Sequence, residues 1–275
     1  MGRAVMNKIL LATALSDQHA HLLERAVELS ATSGAELHIL HVYNTIRLPG
    51  GKSNVQQERK VLHDTINTAI KQQMRGNELD FTIHIVEGGR VNKRIRSYAE
   101  HISADLIVLG YPSPSEDIPA EALGTLDKVL LESDFPVLIA SERTEAPYSD
   151  IAIYGVKNRH IKKAAKIVTP LLQDSGIQIN GYLVSTAQSI KNIWPPRFLK
   201  GGIETEIFAK IFSRRNYNKH NIHISPTGTR SHLPPPNLTI LTASHIRSKE
   251  LYDNLIKAES HVKAAPPYDI LIART

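Results

Sequence analysis

The stretch from Asp105 to Ala140, DLIVLGYPSPSEDIPAEALGTLDKVLLESDFPVLIA, constrains the chain more than any other. Asp105-Leu106-Ile107-Val108-Leu109 is a short apolar run closed by Gly110, the pattern of a strand buried on both faces. A loop rich in Pro, Ser, Asp and Glu follows, and Gly124-Thr125 then opens a segment with Leu126, Val129 and Leu130 at helical spacing. Pro136 closes that segment, and Val137 to Ala140 reads as a second buried strand. Strand, glycine-punctuated loop, helix and strand make half of a doubly wound α/β fold, with the loop at the carboxyl end of a parallel strand, where ligands usually sit.

The rest of the first half extends that pattern. Lys8 to Ala14 reads as a strand, and Ser16 or Asp17 is placed to cap the helix after it. Leu22, Leu23, Ala26, Val27 and Ser30 share one face of that helix, Gly34 stops it, and Glu36 to Tyr43 is the next strand. A second helix is expected with Val61, Leu62, Thr65, Ile66, Ala69 and Ile70 on one side. Phe81 to Val86 alternates as a strand, Gly88-Gly89 turns, and Val91, Ile95, Tyr98, Ala99 and Ile102 predict a third helix. The succession β-α-β-α-β-α-β-α-β requires a parallel sheet in one doubly wound domain. Ser141 to Asp150 reads as a linker.

The second half repeats the first in worn form. Ile151, Gly176 and Ile179 each fall 142 positions after Ile9, Gly34 and Leu37. Ile83-His84-Ile85 recurs as Ile222-His223-Ile224 at an offset of 139, and Leu138-Ile139-Ala140 as Leu271-Ile272-Ala273 at 133. Asp105-Leu106 corresponds to Asn237-Leu238 at 132. A slowly shrinking offset means duplication with a few deletions. The fold class is therefore α/β, with two doubly wound parallel-sheet domains in tandem, at 1–142 and 150–275. Pro234-Pro235-Pro236 removes the donors a third helix of the second copy would need, and Pro170 should kink the helix it interrupts. The second copy lacks the loop glycines.

In this order, Lys8-Ile9-Leu10-Leu11-Ala12-Thr13, Gly34-Ala35-Glu36-Leu37, His41-Val42, Gly89-Arg90-Val91, Ala104 to Gly110, Gly124-Thr125 and Phe135 to Ile139 resemble the universal stress protein family. The resemblance is clear over 7–142 and faint over 150–275. It implies adenine nucleotide α-hydrolase-like (HUP-type) domains and a cytoplasmic, non-enzymatic role in the stress response. In ATP-binding members the loop after the fourth strand reads G-x2-G-x9-G-(S/T), because glycines let backbone N–H groups approach phosphates and the last pair sets a helix N-terminus there. Carried over, this pattern makes Thr13, Val42, Gly110, Tyr111, Ser113, Gly124 and Thr125 the candidate nucleotide-binding residues, with ATP or AMP as the group such a site would take. Thr13 and Val42 would flank base and ribose, and the others would meet phosphate. Arg90 could compensate for a lost donor.

This chain departs from the pattern in several places. Ser113 replaces the middle glycine, and ten residues rather than nine separate it from Gly124. Pro112, Pro114 and Pro119 cannot donate, and Glu116, Asp117 and Glu121 repel phosphate. Asp127 stands where binders carry Ser or Thr, and Ala14 replaces the carboxylate after the first strand. These departures favour an interaction module with weak or no ATP binding, with a nucleotide sensor built on the first domain as the alternative.

Other chemistry finds little support. The chain has no cysteine, which excludes disulfides and thiol catalysis and fits a reducing compartment. His38 and His41 lie three apart on one strand, hence on opposite faces, and no metal-ligand spacing is present. No nucleophile elbow or phosphate-loop motif occurs, so no catalytic residue is assigned. The +6 net charge and the cluster Arg214, Arg215, Lys219 and His220 read as a solvated basic surface rather than a nucleic-acid site. No apolar run reaches the ~18 residues of a membrane span. The expected partner is an unidentified protein. The family often pairs domains through the fifth strand, which would join Val137–Ala140 to Ile270–Ala273 in a pseudo-dimer, and a homodimer is the further option.

Overall fold

The structure, a computed structural model, describes residues 6–13, 20–43, 57, 60–61, 63–68, 79–110, 125–126, 128–130, 132–141, 144, 148, 150–155, 158–172, 177–183, 221–223, 238–242 and 269–274. In chain order these hold β1 (Lys8–Ala12), α1 (Ala20–Ser33), β2 (Glu36–Tyr43), β3 (Phe81–Glu87), α2 (Val91–Ile102), β4 (Leu106–Gly110) and β5 (Val137–Ala140). There follow β6 (Asp150–Gly155), α3 (Asn158–Val168), a 3-10 turn (Thr169–Leu171), β7 (Gln178–Leu183), β8 (Asn221–His223), β9 (Leu238–Thr242) and β10 (Asp269–Ala273). Residues 63–68, 125–126 and 128–130 are also helical.

The ten strands form one sheet in the order β3-β2-β1-β4-β5-β10-β9-β6-β7-β8. Every ladder is parallel except the central one, where β5 and β10 run antiparallel with Ile270 opposite Ile139, Leu271 opposite Leu138 and Ile272 opposite Val137. This is the pairing of Val137–Ala140 with Ile270–Ala273 expected from the sequence, and it leaves neither strand with an open edge. The order β3-β2-β1-β4-β5 is matched by β8-β7-β6-β9-β10, so the strand order reverses direction once at β1/β4 and once at β6/β9.

Burial follows strand parity. Ile9, Leu11, Leu37, Ile39, Val108, Leu138 and Ala140 face one side, with Leu22, Ala26 and Leu29 of α1 and Ile161, Ala164 and Ala165 of α3. Leu10, Leu40, Ile107, Leu109, Val137 and Ile139 face the other, with Ile95, Ala99 and Ile102 of α2 and Leu126, Val129 and Leu130. Both apolar clusters run past β5 into β10, so the packing on each face of the sheet is continuous across the central ladder. Gly34 ends α1 as expected: its φ of +73° lets its N–H and that of Ala35 reach the Ser30 carbonyl at 2.8 and 3.2 Å.

Several details differ from the sequence reading. β4 starts at Leu106, because the Asp105 carboxylate accepts from the backbone N–H groups of Asn7 and Lys8, at 2.7 and 3.1 Å. Val61 is 59% exposed and Thr65 is exposed, while Ile66 is buried; Leu62, Ala69 and Ile70 of that expected face lie outside the described residues. Pro170 does not bend a continuing helix: α3 stops at Val168 and the chain tightens into the 3-10 turn, where the missing proline N–H leaves no α-helical bond unmade. The stretch read as a linker is partly core, since Ser141 and Tyr148 are buried.

That burial has a polar cause. Asp269, at 0% exposure, accepts from the Ser141 N–H at 2.8 Å and the Tyr148 hydroxyl at 2.6 Å, with Arg25 Nε at 3.1 Å. Arg25, buried in the middle of α1, also donates to the Thr144 carbonyl (2.9 Å) and to Glu28 (2.8 Å), and its guanidinium lies 4.8 Å from the Tyr148 ring centre. Burial pulls the Arg25 pKa down, but Tyr148, Asp269 and Glu28 outweigh it and hold it above its ordinary value. Burial, then Asp269, pushes the Tyr148 hydroxyl well above the usual phenol range, so it stays a donor. The network clasps α1, the segment after β5 and the start of β10 together.

Candidate functional site

The carboxyl ends of β1, β2 and β4 meet at the first reversal of strand order, the position where open α/β sheets form a crevice. Register sets the residues there. Leu11 pairs with Val108 and Ala12 with Leu40, so Thr13, one residue past β1, stands between the ends of β2 and β4. Val42 lies near the end of β2, opposite Val86, and Gly110 ends β4, opposite Ala140. Thr125 opens the helical residues beneath this edge, and its neighbour Leu126 packs in the same apolar cluster as Ala12, Leu109 and Val42. Thr13, Val42, Gly110 and Thr125 are all half-buried, at the rim of that cluster rather than within it.

Thr13 is held on both sides of its peptide plane. Its N–H donates to the Leu40 carbonyl at 3.1 Å, and its carbonyl lies 2.9 Å from His41 Nδ1. A carbonyl only accepts, so that bond requires the proton on Nδ1. His41 therefore braces Thr13 at the end of β1, a role that its spacing alone did not reveal. The available signal was its place next to Val42, where strand alternation sends its ring to the side of the sheet opposite the apolar rim. His38, on the opposite face from His41, points under α2.

Of the seven candidate residues, the structure gathers four at one edge. Tyr111, Ser113 and Gly124 lie outside the described residues, as do Ala14, Asp127, the acidic and proline residues of the loop, and the basic cluster at 214–220. Arg90 is exposed at the start of α2, where its carbonyl accepts from Lys93 and Arg94. At the second reversal, the sequence offset that aligns Asn237 with Asp105 puts Thr242 in the place of Gly110. Thr242 is buried, and its hydroxyl has no hydrogen-bond partner among the described residues. Among the described residues no group of histidines and carboxylates is arranged to hold a metal ion, and no helix is long and apolar enough to cross a membrane.

Comparison with known proteins agrees with this architecture. Residues 6–141 match the model of the universal stress protein family. No curated protein matches the chain. Among solved structures, a universal stress protein from Archaeoglobus fulgidus is 14% identical over 98% of this chain and 97% of its own, with a TM-score of 0.65. A protein of unknown function from Pseudomonas aeruginosa is 15% identical over 99% of this chain and 94% of its own, with a TM-score of 0.57. At such identities these likenesses show the fold alone, an α/β fold with a mostly parallel sheet. A universal stress protein from Archaeoglobus fulgidus in complex with dAMP is 19% identical over 50% of this chain and 98% of its own. Its TM-score of 0.36 is too low to carry a ligand across.

Proposed function

We propose, from the universal stress protein family domain at residues 6–141, that the chain is a non-enzymatic, cytoplasmic stress-response protein. In this reading it is a regulatory interaction module whose crossover binds ATP weakly or not at all. The observation that carries this reading is the engagement of Thr13. Its N–H is committed to Leu40 and its carbonyl is braced by His41, so the backbone bordering the base and ribose position has little left to offer. The neutral side chains of Thr13, Val42 and Thr125 point the same way, as do Ala14 in place of a carboxylate and the acids of the loop, which add repulsion.

The second reading, an adenine-nucleotide sensor, draws on one feature. Gly110 and Thr125 stand at the ends of the loop beside an apolar floor of Ala12, Leu109 and Leu126, as a phosphate loop would need. Residues 150–275 are, in our reading, a degenerate copy. The order β8-β7-β6-β9-β10 and the internal sequence offsets support this, and Thr242 in place of the first loop glycine marks the lost pocket. The antiparallel β5–β10 ladder then makes the chain its own pseudo-dimer, and a protein partner replaces the nucleotide as the regulatory contact.

Thermal unfolding with millimolar ATP, AMP and magnesium separates the readings. A ligand present at 100 times its Kd adds ~2.7 kcal/mol, or roughly 5–11 °C for a chain of this size. The module reading expects no dose-dependent rise. A rise that disappears in a Gly124→Asp variant would replace it with the sensor.

A further inference from the structure

Away from the crossover, four rings converge where α2 covers the open end of the sheet. Strand parity sends Glu36 and His38 of β2, and Thr82 and His84 of β3, to the side covered by α2, which contributes Tyr98 and His101. His84 stacks on Tyr98 with ring centres 4.4 Å apart and planes 17° from parallel. His38 meets the same ring edge-on at 6.2 Å and lies 3.4 Å from the Tyr98 hydroxyl, close enough for that hydroxyl to donate to Nδ1. His101 is 6.2 Å from Tyr98, tilted by 39°. Behind His38, its Nε2 is 3.1 Å from Glu36 Oε1, yet Nε2 has no aligned hydrogen-bond partner. Glu36 also accepts from the Thr82 hydroxyl at 3.4 Å.

We propose that His84, stacked on Tyr98 with the rings of His38 and His101 set around the same tyrosine, makes this corner proton-responsive, so that acidification loosens α2 from the β2–β3 edge. The groups facing His84 are Tyr98 and His101 from α2 and His38 from β2, with the Glu36 carboxylate behind His38. His38 is buried beside Glu36, and His84 and His101 are exposed. A proton taken by His84 places a charge on the ring stacked against Tyr98. Burial, then His101, then His38 already hold the His84 pKa below its ordinary value, so the fold resists its protonation. The sign follows: the stability tied to His84 is complete above its unfolded pKa of about 6.5 and declines as pH falls below it. Tyr98 is the piece that moves, because its stack on His84 is what joins α2 to the outermost strand at this point.

Amide hydrogen exchange on the full chain at about pH 7.5 and about pH 5.5, corrected for intrinsic rates, reads the device directly. Protection across Val91–Ile102 should fall about two- to fivefold on acidification, the range of like-charge contacts at partly exposed sites, while Leu106–Gly110 holds. His84→Gln, which keeps a planar polar group without the charge, should remove most of the fall. Tyr98→Phe, which keeps the stacked ring, should retain it. An unchanged α2 in the wild type, an equal loss in His84→Gln, or a loss spread evenly over β4 would each overturn the proposal.

Discussion

Replacing Asp269 by Ala should be among the most damaging single changes in the chain. Asp269 is fully buried and takes contacts from the Ser141 N–H, the Tyr148 hydroxyl and the Arg25 guanidinium. The substitution removes both acceptor oxygens and leaves three donors in the interior. Breaking a buried ion pair by deleting one partner costs about 3–5 kcal/mol, and each orphaned neutral donor costs ~1–3 kcal/mol. Arg25 keeps the Thr144 carbonyl and Glu28, which reduces its share. A total of about 3–5 kcal/mol follows, equivalent to roughly 6–20 °C in Tm for a protein of this length. Tyr148→Phe removes one donor and leaves Asp269 two contacts, so it should cost ~1–2 kcal/mol. Urea unfolding followed by circular dichroism measures both, and an unchanged m-value confirms that the same surface is exposed. If Asp269→Ala falls within ~1 kcal/mol of wild type, the network is not what holds α1 to the β5–β10 seam.

Gly34→Ala has free space around a new Cβ but must adopt φ near +73°, so backbone strain alone should cost ~1–2 kcal/mol in urea unfolding. Glu28→Gln should be neutral or slightly stabilising near pH 7, within ~0.5 kcal/mol, despite the 2.8 Å contact with Arg25. Burial raises the Glu28 pKa more than Arg25 lowers it, so its contribution is present below its unfolded value and lost as pH rises through the folded one. Ile66→Ala should cost ~2–4 kcal/mol and Val61→Ser almost nothing, since Ile66 is buried and Val61 is exposed, and thermal melts of the pair would show the contrast.

Much of the strand order was legible because buried strands announce themselves. Leu106 to Leu109 and Val137 to Ala140 are unbroken apolar runs, and the offsets between Ile83-His84-Ile85 and Ile222-His223-Ile224 placed the later strands by analogy. On the expected helical face Ile66 is buried while Val61 and Thr65 are exposed, because periodicity reports which residues share a side, not whether each is covered; Leu62, Ala69 and Ile70 lie outside the described residues. The seam network was invisible for a different reason. No motif or periodicity in the sequence singles out Arg25 or Asp269, and Tyr148 falls in the stretch read as a linker. Only the fold brings the three together across sequence gaps of more than a hundred residues. At the candidate site, Thr13, Val42, Gly110 and Thr125 were named from the family resemblance, while the bond between His41 and the Thr13 carbonyl needed the register of β1 against β2.

Isothermal titration calorimetry of ATP with magnesium into the 275-residue chain decides whether the crossover has given up ATP. The account predicts no saturable heat at millimolar ATP, a Kd weaker than about 1 mM, corresponding to less than ~4 kcal/mol of binding. A one-to-one isotherm with micromolar Kd, abolished by Gly124→Asp, would contradict it and make the first domain a nucleotide sensor.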